Sequence, residues 1–123
     1  VETGFITANP ALKAAAVINP AGNSTSADVQ GAQAQFAQST LLPSGIISWN
    51  YTGTAGAAYP FTAATYAMVK SNYGDAAKAA AVKRQVEYMA FKCSTKVTTE
   101  GMIPISETSD LGKAILKLTA KIA

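Results

Sequence analysis

The chain has no histidine, one cysteine (Cys93), one tryptophan (Trp49) and one arginine (Arg84). Without histidine, neither a Ser-His-Asp nor a Cys-His nucleophile can be assembled, and a zinc site of the usual nitrogen and sulfur ligands is excluded. One cysteine excludes an intrachain disulfide. Cys93 follows the apolar pair Ala90-Phe91, so a buried, inert thiol is expected, the alternative being pairing with another polypeptide. Charge is sparse, at 14% of residues, and the acidic residues form no pair suited to general acid and base work. Glu107 and Asp110 are close together, but the N-terminus of a helix favours carboxylates for stability alone. No catalytic residue is assigned, and a non-enzyme is expected. Long apolar runs are also missing: Ala14 to Ile18 is among the longest, far short of the roughly 20 residues that span a bilayer as a helix. The N-terminus lacks the basic-then-apolar layout of a signal peptide.

What is present is globular in character: 123 residues, one domain's worth at most, with 49% hydrophobic content. The charge is uneven. From Lys70 onward lie nine of the ten basic residues and five of the seven acidic ones. A basic half is compatible with an anion or a nucleic acid. Lys113, Lys117 and Lys121, however, recur at steps of four with no aromatic residues between them, which reads as the solvated face of a helix. Arg84, beside Lys83, reads as surface for the same reason, and no nucleic-acid partner is expected.

The strongest pattern runs from Ala58 to Phe91. Thr62 to Val69 is rich in β-branched, aromatic and small apolar residues on both alternating faces, which predicts a strand covered on both sides. Ser71-Asn72-Tyr73-Gly74 supplies a turn, and Asp75 stands where an N-cap accepts from free amides. From Ala76 to Phe91 apolar residues recur at steps of three and four, predicting an amphipathic helix. Lys92 to Glu100 is expected to be a loop, and Gly101 to Ile105 to return inward. A last helix, capped by Ser106 or Ser109, carries the stripe Leu111, Ile115, Leu118 and Ile122.

Upstream, Val1 to Ile6 reads as a strand end with a turn around Thr3-Gly4, and Leu12 to Ile18 as a strand that stops at the turn Asn19-Pro20-Ala21-Gly22. Thr25-Ser26-Ala27-Asp28 fits a capping box, followed by Val29, Ala32 and Phe36 on one helical face as far as about Ser39. Leu41 to Gly56 reads as a largely irregular connection anchored by Trp49.

Ala58-Tyr59-Pro60-Phe61, a strand, a lysine, a short turn, an alanine- and lysine-rich helix, and Met102-Ile103-Pro104-Ile105 before a last helix together resemble the C-terminal part of the periplasmic phosphate-binding proteins. These are the substrate-binding components of phosphate ABC transporters. Val1-Glu2 with a short helical turn, Ala14 to Ile18, the turn at Asn19 to Gly22 and a helix near Asp28 to Gln38 extend the resemblance over nearly the whole length. It implies an α/β chain, the C-terminal portion of a two-lobed periplasmic-binding-protein-like (type II) fold. Residues 1–57 would form the tail of the second lobe plus the connection, and 58–123 the C-terminal part of the first lobe. The implied function is non-catalytic phosphate or other oxyanion binding for uptake, in a periplasmic or extracellular setting, with a membrane permease as partner.

In that family a Gly-Tyr pair precedes the Val-Glu inside a strand. The chain is therefore expected to begin in mid-strand, to act only together with an N-terminal portion or another subunit, and to be aggregated or partly unfolded by itself. Other polypeptide would then cover the Leu111, Ile115, Leu118 and Ile122 stripe. The alternative is an extracellular structural or interaction protein built on the same fold, with no functional anion site.

The family's phosphate-holding motifs lie earlier in its chain, and none is carried over to a residue here. The one stretch with the look of an anion cradle is Thr52-Gly53-Thr54-Ala55-Gly56, where glycines let successive amides face one oxyanion and threonine hydroxyls add donors. Thr52, Gly53 and Thr54 are the ligand candidates. The stretch lacks the Gly-Lys-Ser/Thr of a P-loop, and a glycine-rich loop needs no ligand to explain it. Asn23-Ser24-Thr25 and Asn50-Tyr51-Thr52 are glycan acceptor triplets, so Asn23 and Asn50 are candidate glycosylation sites in a secreted eukaryotic chain. No cofactor and no metal are expected.

Overall fold

The computed structural model describes residues 3–96, 98 and 102–123. The strand expected at Val1-Glu2, the end of the loop at 97 and 99–100, and Gly101 lie outside them. The described residues form helices and two small antiparallel sheets of two strands each. The chain divides into two compact units, Val1–Ala64 with Val97–Ile103, and Thr65–Lys96 with Pro104–Ala123.

In the first unit, α1 (Thr3–Ala8) replaces the strand end and turn read from the residues over 3–6 and falls where a short helical turn is expected after Val1-Glu2. It is a short turn of helix with the Thr7 hydroxyl donating to the Thr3 carbonyl. Strand β1 is only Val17–Ile18, paired with β2 (Ser24–Thr25) through Val17↔Thr25 and Ile18↔Ser24. The expected strand from Leu12 thus shrinks to its β-branched end, while Leu12 to Ala16 are irregular and exposed. Alanine offers a pleated surface little to pack. The turn falls where its residues predict: the Gly22 amide donates to the Asn19 carbonyl, and Gly22 takes φ 81°, a left-handed conformation that glycine adopts without strain.

Helix α2 (Val29–Ala37) is capped by Asp28, whose carboxylate accepts from the Gly31 amide at 2.7 Å. The cap therefore lies three residues beyond the threonine of the expected capping box. The most buried positions of α2 are Gly31 and Gln35, one turn apart, whereas Val29, Ala32 and Phe36 are half-buried. Strands β3 (Thr40–Leu41) and β4 (Ile47–Ser48) form a hairpin inside the stretch expected to be irregular. Trp49 does anchor this region, its ring 5.0 Å from that of Phe36 and 6.2 Å from that of Tyr51.

The second unit is helical. Asp75 caps α3 (Ala76–Glu87) as predicted, accepting from the Ala77 and Lys78 amides at 2.8 and 3.1 Å. The helical path then widens into a π-helical turn, Tyr88–Cys93, and continues as α4 (Ser94–Lys96). Residues Lys92 to Lys96 are therefore helical rather than loop. The Ser94 hydroxyl donates to the Ala90 carbonyl at 2.7 Å inside that turn. Helix α5 (Asp110–Thr119) is capped by Ser109, which accepts from the Gly112 amide at 3.0 Å, and it packs on α3. The stripe Leu111, Ile115, Leu118 and Ile122 is half-buried, while Lys113, Lys117 and Lys121 face solvent.

Thr62 to Val69 forms no strand. A strand covered on both faces needs neighbours to take its amides and carbonyls, since β-propensity reports fit to a sheet rather than a preference of the backbone itself. Instead Thr62 is buried, its hydroxyl donating to the Tyr59 carbonyl, and Thr65 to Lys70 are exposed.

Candidate functional site

The glycine-rich stretch 52–56 belongs to the first unit and is held from below by three polar side chains. Asn19 is 4% exposed. Its amide nitrogen donates to the carbonyls of Ala55, Gly56 and Ala58 at 3.3, 3.0 and 3.2 Å, and its oxygen accepts from the amides of Ala21 and Asn23, both at 3.0 Å. Gln35, 1% exposed, donates to the Asn50 carbonyl at 3.1 Å and accepts from Gln38 at 2.8 Å. Gln38 in turn donates to the Asn50 carbonyl and accepts from the Ala55 amide at 3.1 Å. Burial without a partner is costly for such groups, and every buried side-chain polar atom among the described residues has one.

This clamp fixes which loop donors remain open. The Thr52 amide and hydroxyl both donate to the Asn50 side-chain oxygen at 3.2 Å, and the Ala55 amide is taken by Gln38. Gly53 and Thr54 make no hydrogen bond among the described residues. A Cβ at position 53 would overlap the end of the Gln38 side chain and lie 3.0 Å from the Asn50 side-chain nitrogen. Glycine there is what lets the backbone lie against the clamp. Of the three ligand candidates, Thr52 therefore has both its donors taken by the Asn50 side chain, whereas Gly53 and Thr54 offer two successive amides and one hydroxyl.

No described cation lies near in sequence: Lys13 is the first unit's only basic residue. The second unit carries nine basic and four acidic residues. Among the described residues no group of three His, Cys, Asp or Glu could hold a metal ion, and no helix is long and apolar enough to cross a membrane.

The two glycan acceptors sit at the edges of the same clamp. Asn23 is exposed and donates to the Gly56 carbonyl at 3.2 Å, but Thr25 of its triplet is 7% exposed, its hydroxyl directed at the Val17 carbonyl. In the other triplet Asn50 and Thr52 are both exposed. Arg84 is exposed and Cys93 half-buried. Sequence reasoning missed Asn19, Gln35 and Gln38. The one available signal was Asn19 at the head of an Asn-Pro-x-Gly turn, where an Asn side chain commonly bonds the backbone two residues on; nothing local marked its reach to Ala58.

No family model matches this chain, and neither a curated protein nor a solved structure does.

Proposed function

We propose that this chain is part of a non-catalytic phosphate-binding protein of the two-lobed periplasmic type, serving uptake outside the cytoplasm together with polypeptide beyond these 123 residues. The observation that carries the reading is the pair of open amides at Gly53 and Thr54 with the Thr54 hydroxyl, on a connection clamped by Asn19 and Gln38. Preorganised donors of this kind suit a stripped oxyanion. Three donors without a cation are too few for a dehydrated phosphate dianion, so the remaining donors must come from elsewhere, in line with the resemblance of the element order to the C-terminal part of that family. The same resemblance supports the type II fold and a membrane permease as partner.

A second reading has its own observation. The Thr52 and Ala55 donors are already used by Asn50 and Gln38, as befits a structural or interaction protein whose anion site is idle. Calorimetric titration of inorganic phosphate into the protein that carries this chain separates the two. A saturable one-site heat, weakened about tenfold or more by Thr54→Val through loss of one hydrogen bond to a charged group, supports phosphate binding. Absence of heat leaves the structural reading.

A further inference from the structure

The second unit has one end at which cations and bare apolar side chains meet. The Lys70 amide donates to the Tyr73 hydroxyl at 3.2 Å, and the Lys78 ammonium lies 5.8 Å from the centre of the Tyr73 ring. The Tyr73 amide donates to the Ala123 carbonyl at 2.7 Å and the Ala123 amide to the Ser71 carbonyl at 2.8 Å. These bonds fasten the segment after Lys70 to the chain that leaves α5. Lys83 lines an open, mostly apolar hollow with Ala76, Ala79, Ala80 and Ile122, and Lys121 is exposed just before Ile122.

Two carboxylates sit in this neighbourhood: Asp75, whose oxygen is spent on the first amides of α3, and Glu87, one turn beyond Lys83, whose oxygen accepts from the Thr119 hydroxyl. Immediately before Lys70, Met68 is 95% exposed and Val69 43% exposed. From this charge complementarity we propose that the end built from Met68 to Tyr73, Lys78, Lys83 and Lys121 docks on an anionic phospholipid surface. Lysines meet the headgroup phosphates there, and Met68 and Val69 enter the boundary with the acyl chains. An acidic polypeptide would satisfy the lysines but leave Met68 without an apolar environment. This inference rests on the second unit alone, not on the phosphate reading.

The test is co-flotation of the protein carrying this chain with phosphatidylcholine vesicles, with and without phosphatidylglycerol. Binding is expected only to the phosphatidylglycerol vesicles, with release by salt. Each exposed lysine near such a surface contributes about a fivefold factor, so Lys70→Gln with Lys78→Gln should weaken binding by about 25-fold. Met68→Ser should weaken it without changing the circular dichroism spectrum. Phosphate calorimetry should be unaltered by all three substitutions. Equal binding to both vesicle types, or none to either, would overturn the proposal. So would vesicle binding indifferent to Met68→Ser together with tight capture by polyglutamate, which would assign the surface to an acidic polypeptide.

Discussion

Truncating Asn19 to alanine should be the most damaging single change in the first unit. The side chain is 4% exposed and its two polar atoms make five contacts, three from nitrogen to loop carbonyls and two from backbone amides to oxygen. Two N–H bonds serve three carbonyls, so one is shared and the set is worth about four ordinary bonds, each with a net value of about 1 kcal/mol. Ala21 and Asn23 lie close enough to solvent to regain part of this from water. A loss of about 3 kcal/mol is expected, a large share of the 5–15 kcal/mol typical of folded proteins. Trp49 is the chain's one tryptophan and packs on Phe36 in this unit, so its fluorescence during urea unfolding reports the change.

Asn19→Asp sharpens the test. It keeps an acceptor for the Ala21 and Asn23 amides but turns an oxygen toward three carbonyls. The ionised form is then repelled and desolvated, which raises the folded-state pKa of the new carboxyl above its unfolded value of about 3.9. A raised folded-state pKa means stability that is present below the unfolded pKa and lost as pH rises through the folded one. The deficit of Asn19→Asp against the native chain should therefore be small near pH 4 and grow toward neutrality. A loss under about 1 kcal/mol for Asn19→Ala, or a deficit for Asn19→Asp that ignores pH, would refute the clamp.

Gly31→Ala should destabilise the first unit by about 1–2 kcal/mol in the same fluorescence assay, because overpacking outweighs the helix-propensity gain of alanine. Its Cβ would stand 2.9 Å from the Tyr59 Cβ and 3.0 Å from the Ser26 carbonyl. Gly112→Ala should loosen the start of α5, since its Cβ would overlap the Ser106 carbonyl and lie 2.9 Å from the Glu107 Cα, both backbone atoms. Faster hydrogen exchange at the first amides of α5, with the α3 amides unchanged, is the expected readout.

The sequence made legible those features whose causes are local. Asp75 and Ser109 cap their helices because a short polar side chain beside an apolar-periodic run has few other uses. The turn at Asn19 to Gly22 likewise follows from residues within one turn of each other. Features decided by distant partners were not legible. Thr62 to Val69 has the composition of a strand, but composition cannot supply the neighbouring strand. The π-helical turn at Tyr88–Cys93 carries no breaker that would mark where the helix widens. At the candidate site, glycine and threonine could be read as an anion cradle; the capture of Thr52 by Asn50 is a local Asx turn, whereas that of Ala55 by Gln38 depends on where α2 lies.

The buried positions explain why so much rests on a few polar side chains. Among the described residues, the buried apolar side chains are those of Ala58, Ala79 and Phe91, while Asn19, Thr25, Gln35, Thr62, Ser94 and Thr119 are buried with them. Two alanines and one phenylalanine bring little transfer free energy, given about 25 cal/mol per Å² of apolar surface. Buried amides and hydroxyls compensate differently, because they act through direction. Asn19 reaches the Ala58 carbonyl across 39 positions, Gln35 the Asn50 carbonyl and Thr119 the Glu87 carboxylate at 2.7 Å, while Ser94 and Thr62 bond carbonyls four and three residues back. Apolar contacts tolerate sliding, whereas a hydrogen bond fails within a few tenths of an ångström or some tens of degrees. The glycine-rich stretch is therefore held in one conformation by a framework that is not itself strongly apolar. That is the condition under which the Gly53 and Thr54 amides stay in place without a ligand, available either to a phosphate or to nothing at all.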